Sequence, residues 1–436
     1  MRYLVAGAGR TGQSVVRMAR RDGVEVALYD DNAEVVARVA AELEVDRFGA
    51  TPAFVADSLP NIDEVIVSPG FPLAHPVRAA AEAAGISVIG DVELAARRTT
   101  TPLVAVTGTN GKSTVTKLIA EMITAGGHRA VETGNVGYPI LDAIEQQPAE
   151  YYVVETSSFQ LADTVAFHPV VGVWTNLSPD HLDWHPNLEH YVGSKMQLFA
   201  NQTQADVAVL NAEDPIVMQA KGFIASRPVT FGVDRGDAHV GDGHLLGPAG
   251  EDLGAVADMA RPFRHELANG LAAACAAFAV GADVAACAQV LREFAGLPHR
   301  IQLVGHIGGV PYFDDSKATT PASVVTALHA FDTAVLIAGG KNKGLDLSVL
   351  AAAASHVRAV VAIGAATEEI AAAFDGHRPV VRAASMDDAV AQAARLAEPG
   401  DAVVLSPACT SWDAYRDYAE RGDDFARAVR SLAGAQ

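Results

Sequence analysis

Cysteine is scarce in this 436-residue chain. It has three, Cys275, Cys287 and Cys409, too few and too scattered for a disulfide framework or a zinc site. Basic charge is also short: 32 Lys and Arg stand against 52 Asp and Glu, a formal net charge of -20. That balance argues against nucleic acid as a partner, because a nucleic-acid binder needs a basic face. Anions can still be held locally, by helix N-termini, backbone N–H groups, lysines and metal ions. No apolar run reads as a membrane span. The longest, LANGLAAACAAFAVGA, is alanine-rich, ends just before Asp283 and reads as a buried helix. The opening residues MRYLVAGAGR read as a strand, so no charged leader is expected. A monomeric cytoplasmic protein is the expectation.

Half the residues are hydrophobic and 19% are charged, a globular composition long enough for about three domains. Short apolar runs alternate with alanine-rich helical stretches, the βαβ signature of parallel sheets covered by helices. The expected class is α/β with three domains. Residues 1–91 read as a Rossmann-like unit with strands near 3–6, 24–29, 64–67 and 86–89. Residues 92–298 read as a central P-loop unit with strands at 103–108, 151–155, 170–176 and 206–211. A loop or small antiparallel insert lies between 232 and 254. Residues 299–436 read as a second Rossmann-like unit with strands at 334–339, 359–364, 379–384 and 401–406.

Four segments carry chemistry. The first is Gly7-Ala8-Gly9-Arg10-Thr11-Gly12, a G-x-G-x-x-G turn between strand and helix, with Asp30 after the next strand. Three readings fit it: a nicotinamide or flavin site, glycines serving only strand–helix packing, or a turn holding the diphosphate of another nucleotide such as a UDP-sugar. The second is Gly108-Thr109-Asn110-Gly111-Lys112-Ser113-Thr114, a shortened P-loop after an apolar strand. Here Lys112 and backbone N–H groups suit the β- and γ-phosphates, and Ser113 suits magnesium.

The third gathers Glu155 at a strand end, His181 flanked by Asp180 and Asp183, and Lys195 in a helical stretch. Glu155 is placed to bind metal. A lone histidine is more often structural, although its acidic flanks favour a metal, and Lys195 reads by pattern as a solvated lysine. The fourth comprises DDSKATTP (314–321), GGKNKG (339–344) and SPACTSWDAY (406–415). Asp315 with Lys317 could grip phosphate or a sugar ring, and the second and third segments, just past strand ends where open α/β folds bind ligands, could each equally be only a tight turn.

Taken together, GTNGKST, SSFQL, TNLSPDHLDWH, GLPHR, DDSKAT and SPACTSWD resemble the Mur ligases, in order and over essentially the whole chain. The branch they resemble most is the one that adds D-glutamate. The resemblance implies ATP-dependent addition of D-glutamate to UDP-N-acetylmuramoyl-L-alanine through an acyl phosphate, with magnesium. It implies that residues 108–114 with Asn269, Arg300 and Asp315 take ATP. Ser113, Glu155, His181 and a carbamylated Lys195 hold magnesium, and Lys112, Lys195 and His181 serve catalysis. Arg10, Thr11, Asp30, Asn135 and His181 meet the UDP substrate. Lys317, Thr319, Lys343, Ser411 and Tyr418 hold D-glutamate, Tyr418 standing where a phenylalanine is common. Rival readings are another Mur-type or a folylpolyglutamate-type ligase, an NAD-dependent dehydrogenase resting on residues 7–12 and Asp30, and a P-loop ATPase acting through a partner.

Overall fold

The computed structural model describes residues 1–182 and 184–434. Contacts divide the chain into two compact units, Met1–Phe294 and the remainder from Ala295.

The first unit contains two parallel sheets. Strands β1 (Arg2–Ala6), β2 (Glu25–Tyr29), β3 (Arg47–Gly49), β4 (Glu64–Val67) and β5 (Ser87–Gly90) lie in the order β3-β2-β1-β4-β5. The order reverses beside β1, so its exit, with the glycine turn, falls at the crevice where such sheets take ligands. The second sheet uses β6 (Leu103–Thr107), β7 (Ala130–Gly134), β8 (Tyr151–Glu155), β9 (Val171–Trp174), β10 (Val207–Asn211) and β11 (Arg227–Phe231). Its order is β11-β10-β9-β6-β8-β7, with β6 flanked by parallel partners on both sides. Every residue of β6 is buried, as a strand covered on both faces must be, and that explains its unbroken apolar run.

A small antiparallel sheet follows, β12 (His239–Gly241), β13 (His244–Leu246) and β14 (Asp252–Ala255). This is the insert expected between 232 and 254. The alanine-rich stretch forms the helix Arg264–Ala279, with Ala272 to Ala277 buried in one core with the helix Lys112–Ala125. Among the described residues no helix is long and apolar enough to cross a membrane.

The two sheets of this unit are joined through the helix Asp91–Ala96. Glu93 is fully buried and accepts hydrogen bonds from the Val165, Ala166 and Phe167 N–H groups at 2.8–3.0 Å. Arg97 pairs with the same carboxylate at 2.7 Å. Arg78 grips Asp163 through two bonds of 2.6 and 2.8 Å. A buried carboxylate is tolerable when several N–H donors and a cation neutralise it, and Glu93 has both.

The second unit holds one sheet. Its strands are β15 (Gln302–Ile307), β16 (Val310–Asp314), β17 (Ala334–Gly339), β18 (Val357–Ile363), β19 (Val380–Ala383) and β20 (Ala402–Ala408), ordered β15-β16-β20-β17-β18-β19. All neighbours are parallel except the β15–β16 hairpin.

The expected α/β class holds, and five strands were not foreseen: β3, β7, β11, β15 and β16. Four of the five lie at sheet edges. Edge strands are partly solvated, short or proline-bearing, so they lack the continuous apolar run that marks a central strand. β3 has only three residues and β11 contains Pro228.

Candidate active site

The phosphate loop leaves the C-terminal end of β6. Gly108 has φ +148°, and a Cβ there would lie 1.9 Å from Thr175 Oγ1. Gly111, at φ +83°, would meet Asn269 Oδ1 at 2.5 Å, so neither position takes a side chain without the loop moving. Gly111 caps the helix Lys112–Ala125 without a side-chain hydrogen bond, and a helix N-terminus is a place where backbone N–H groups can face an anion. Asn110 is fixed from the β9 exit. Its N–H donates to Asn176 Oδ1 at 2.9 Å, and its carbonyl accepts from Thr175 Oγ1 at 2.6 Å and Asn176 Nδ2 at 3.1 Å. Ser113 and Thr114 lie in the first turn of that helix.

Two lysines converge on this loop. Lys112 Nζ donates to the Gly108 carbonyl at 3.0 Å and the Thr109 carbonyl at 2.9 Å, and Lys195 Nζ donates to the same Gly108 carbonyl at 2.8 Å. Lys195 is 1% exposed and its amine lies 4.6 Å from the Tyr191 ring centre. Its reading as a solvated lysine is therefore corrected. The mostly polar helix Leu188–Met196 turns Tyr191, Ser194 and Lys195 inward, and no periodicity announces that face. Burial, reinforced by the charge of Lys112, pushes the amine well below the usual lysine range, with Asp180 acting the other way. The shift moves Lys195 towards its neutral, nucleophilic form.

Glu155 ends β8 next to β6 and is buried. Its Oε1 accepts from Asn135 Nδ2 at 3.0 Å, and its carbonyl accepts from the Asn135 N–H at 2.9 Å. These two expected contacts therefore meet each other. Just beyond, Ser157 and Gln160 form a capping box that starts the helix Ser158–Ala162, and Gln160 Nε2 donates to both Asp91 oxygens at 3.2 Å. His181 has φ +55° and a ring 4.7 Å from that of Phe159, with Asp180 at 3.5 Å. Asp183 lies outside the described residues. No group of three His, Cys, Asp or Glu among the described residues could hold a metal.

At the exit of β1, a Cβ on Gly12 would lie 1.7 Å from the Gly7 carbonyl, whereas one on Gly9 would have no atom of the described residues within 4 Å beyond Gly9 and its chain neighbours. Gly12 thus serves close packing, and Gly9 leaves the loop open to a ligand. Asp30 braces the turn. Its Oδ2 accepts from the Ala8 N–H at 2.8 Å and its Oδ1 from the Asn32 N–H at 2.9 Å. Arg10 and Thr11 open the following helix, Arg10 exposed and Thr11 half-buried.

Within the second unit, the exits of β16, β17 and β20 bring the remaining expected residues to one sheet edge. Lys317 Nζ stands 5.1 Å from the Tyr418 ring centre, and Lys343 Nζ stands 4.4 Å from that of Trp412. Ser411 is buried beyond β20, and Thr319 follows Lys317, whose carbonyl accepts the Thr319 N–H at 2.9 Å. Arg300 lies in the turn ahead of β15, its N–H donating to the Leu297 carbonyl at 3.3 Å. Asn269, the third adenosine-side expectation, belongs to the first unit, beside Gly111. Sequence reasoning missed Thr175 and Asn176, which hold the loop, Tyr191 against Lys195, and Trp412 against Lys343. Trp412 is 61% exposed within SPACTSW, and a solvated indole in a polar turn was the available signal.

Asp315 is buried. It accepts from Ser406 Oγ at 2.7 Å and from the Ile301 N–H at 3.3 Å. Burial pushes its carboxyl up to about 7, against the bond from Ser406 and the charge of Arg300. Because the folded value is raised, the folded state binds the proton more tightly than the unfolded chain. Stability from this group is complete below the unfolded value and is lost as pH rises through about 7. Asp315→Asn keeps the neutral shape. Its melting temperature should match the parent near pH 4 and exceed it increasingly up to about pH 7, levelling off above. The gap in stability should widen by roughly 1.4 kcal/mol for each pH unit of that interval. A difference that stays constant with pH in thermal melts would refute this account of Asp315.

Comparison with known proteins adds to this geometry. Three family models match: "Mur ligase MurD-like, N-terminal domain" over residues 1–90, "Mur ligase middle domain" over 106–277, and "Mur ligase, glutamate ligase domain" over 299–409. The UDP-N-acetylmuramoylalanine–D-glutamate ligase of Desulfosudis oleivorans is 41% identical over 99% of this chain and 96% of its own. That of Shouchella clausii is 38% identical over 99% and 97%. Two solved structures share the fold at a TM-score of 0.60, each covering 99% of both chains. They are the UDP-N-acetylmuramate–alanine ligase of Thermotoga maritima, 19% identical, and a pseudomurein peptide ligase type C of Methanothermus fervidus, 16% identical.

Proposed function

This chain belongs to the Mur ligase family, and from that premise we propose that it joins D-glutamate to UDP-N-acetylmuramoyl-L-alanine with cleavage of ATP, in peptidoglycan precursor synthesis. The observation that carries the reading is the convergence of Lys112 and the buried Lys195 on the Gly108 carbonyl. A phosphate loop and a desolvated amine sharing one atom suit ATP-driven activation of a carboxylate.

A carboxylate acylates poorly, so its oxygen first attacks the γ-phosphorus of ATP and ADP leaves, giving an acyl phosphate. Lys112 swings from the loop carbonyls to the phosphates, and the N–H groups of residues 111–114 cradle them. The D-glutamate amine then attacks the acyl carbon. The tetrahedral adduct expels phosphate, and the nitrogen gives up a proton to complete the amide.

In this reading Arg10 and Thr11 hold the uridine diphosphate at the glycine turn, which Asp30 braces. Asn135 and His181 meet the muramyl side, and Asn269, Arg300 and Asp315 meet adenosine. In the same reading the chain is a cytoplasmic monomer of three domains, divided at 91/92 and 298/299. Magnesium takes hard oxygen ligands. The Ser113 hydroxyl, the buried Glu155 carboxylate and a carbamate on Lys195 fit it, with His181 alongside. When bound, the metal supplies positive charge against the phosphates.

Lys317, Thr319, Lys343, Ser411 and Tyr418 receive the amino acid. D-Glutamate brings two carboxylates, which two lysines with hydroxyls can pair, whereas an alanine site needs one cation. Phosphate release with UDP-N-acetylmuramoyl-L-alanine should therefore require D-glutamate, with L-alanine, L-lysine and meso-diaminopimelate inactive. L-Glutamate should be poor, because inverting the α-carbon swings the amine away from the acyl phosphate. Equal use of D- and L-glutamate would reject the assignment.

A further inference from the structure

Arg421 is 3% exposed, on the inward face of the helix Tyr418–Ala433. Its Nε donates to Ser316 Oγ at 2.9 Å, its Nη2 to the Ser316 carbonyl at 2.8 Å and its Nη1 to the Cys409 carbonyl at 3.1 Å. Ser316 Oγ in turn donates to the Tyr418 carbonyl at 2.7 Å. A Cβ on Gly340 would stand 3.0 Å from Nη1, so the exit of β17 presses on the same guanidinium. Among the described residues, none of its hydrogen bonds goes to a carboxylate. Burial lowers it to about 10, and Asp413 is the largest charge opposing that.

Burying a guanidinium against neutral acceptors is costly, since desolvation of the charge is repaid only in part. A purely structural clamp would be better served by an uncharged side chain. What the charge adds is a positive field at the edge of the sheet where β16, β17 and β20 end. Those three exits carry Lys317, Lys343 and Ser411. The next residue sharpens the case. A Cβ on Gly422 would lie 2.2 Å from His299 Nδ1 and 2.4 Å from Asp314 Oδ2, the two atoms that bond each other at 2.7 Å. Arg421-Gly422 therefore lets the helix sit close enough for the fork to reach Ser316.

We propose that Arg421 is a specificity-determining positioning residue for the amino-acid substrate. Its three-pronged guanidinium sets the spacing of the Lys317 and Ser411 segments, and its charge favours a doubly carboxylated ligand above it. The inference rests on the reading of that edge as the D-glutamate site. Lys cannot span three acceptors in a fixed fork, so Arg421→Lys keeps the charge and loses the spacing.

The test is steady-state phosphate release by the full-length enzyme, with each substrate varied in turn. Arg421→Lys should raise KM for D-glutamate about tenfold, corresponding to one lost charge-assisted contact. KM for ATP and for UDP-N-acetylmuramoyl-L-alanine should stay within about twofold. Arg421→Ala should lose more, about a hundredfold in kcat/KM for D-glutamate, and recover part of it with millimolar guanidinium ion, which refills the cavity. Should Arg421→Ala fail to fold, Arg421→Lys decides alone. An unchanged KM for D-glutamate, or equal rises in all three KM values, overturns the proposal. Lys343→Ala serves as the control. If it raises KM for D-glutamate and the Arg421 variants do not, this inference alone fails. If no variant moves that KM, the amino-acid site has been misplaced.

Discussion

Lys112→Ala should reduce ATP-dependent phosphate release at least a hundredfold while the protein still folds. The lysine follows the glycine turn at the start of the helix Lys112–Ala125 and presently bonds the Gly108 and Thr109 carbonyls. The P-loop reading gives it a different task in the reaction, a positive charge against phosphoryl oxygens. Removing a charge contact that strengthens in the transition state costs on the order of 3–5 kcal/mol. The fold should tolerate the loss, because the Gly108 carbonyl keeps its bond from Lys195. Melting temperature and phosphate release measured on the same preparation check both halves. Activity within tenfold of the parent, in protein that melts normally, would remove Lys112 from the mechanism.

The second large effect belongs to Lys195. Its amine is buried and pushed well below the usual lysine range, the condition under which the nitrogen can attack carbon dioxide. On the proposed reading a carbamate would form as the nitrogen–carbon bond closes and a proton is released. The product would be an anion, giving the amine position a carboxylate-like group that a metal could take. Lys195→Ala should be nearly inactive, and small carboxylates such as acetate should restore part of the rate by occupying the vacated position. Depleting bicarbonate should lower the parent's activity. Lys195→Met should be equally inactive yet melt no lower than the parent, since a desolvated amine costs stability and Lys112 still satisfies the Gly108 carbonyl. A mass measurement showing an unmodified amine in the fully active, substrate-bound enzyme would exclude the carbamate. A large fall in melting temperature for Lys195→Met would make the residue structural.

These two residues mark where sequence reading stops. Lys112 was legible because its context is local: an apolar strand, two glycines with positive φ and a helix start occupy consecutive positions. Lys195 was not, because its burial depends on Tyr191 and on a loop 87 positions away. Arg421 was equally silent. ERGDDFAR reads as any amphipathic helix, and only the packing of Gly422 against His299 and Asp314 reveals why the pair stands there. Lys317, Lys343 and Tyr418 were singled out by resemblance, but the packing of Lys317 against Tyr418 and the whole of Trp412's part beside Lys343 emerged only from the folded second unit.

The alternation of buried strands and helices, the two glycine turns and the chemistry-bearing loops were determined by the sequence alone, since backbone conformation and strand burial leave signals over a few adjacent residues. The edge strands, the joint built on Glu93, the neutral-leaning amine of Lys195 and the burial of Arg421 against Ser316 and the Cys409 carbonyl were decided by tertiary structure. Desolvation and hydrogen bonding act between residues that only the folded chain brings together, and a side chain's charge state follows from those neighbours.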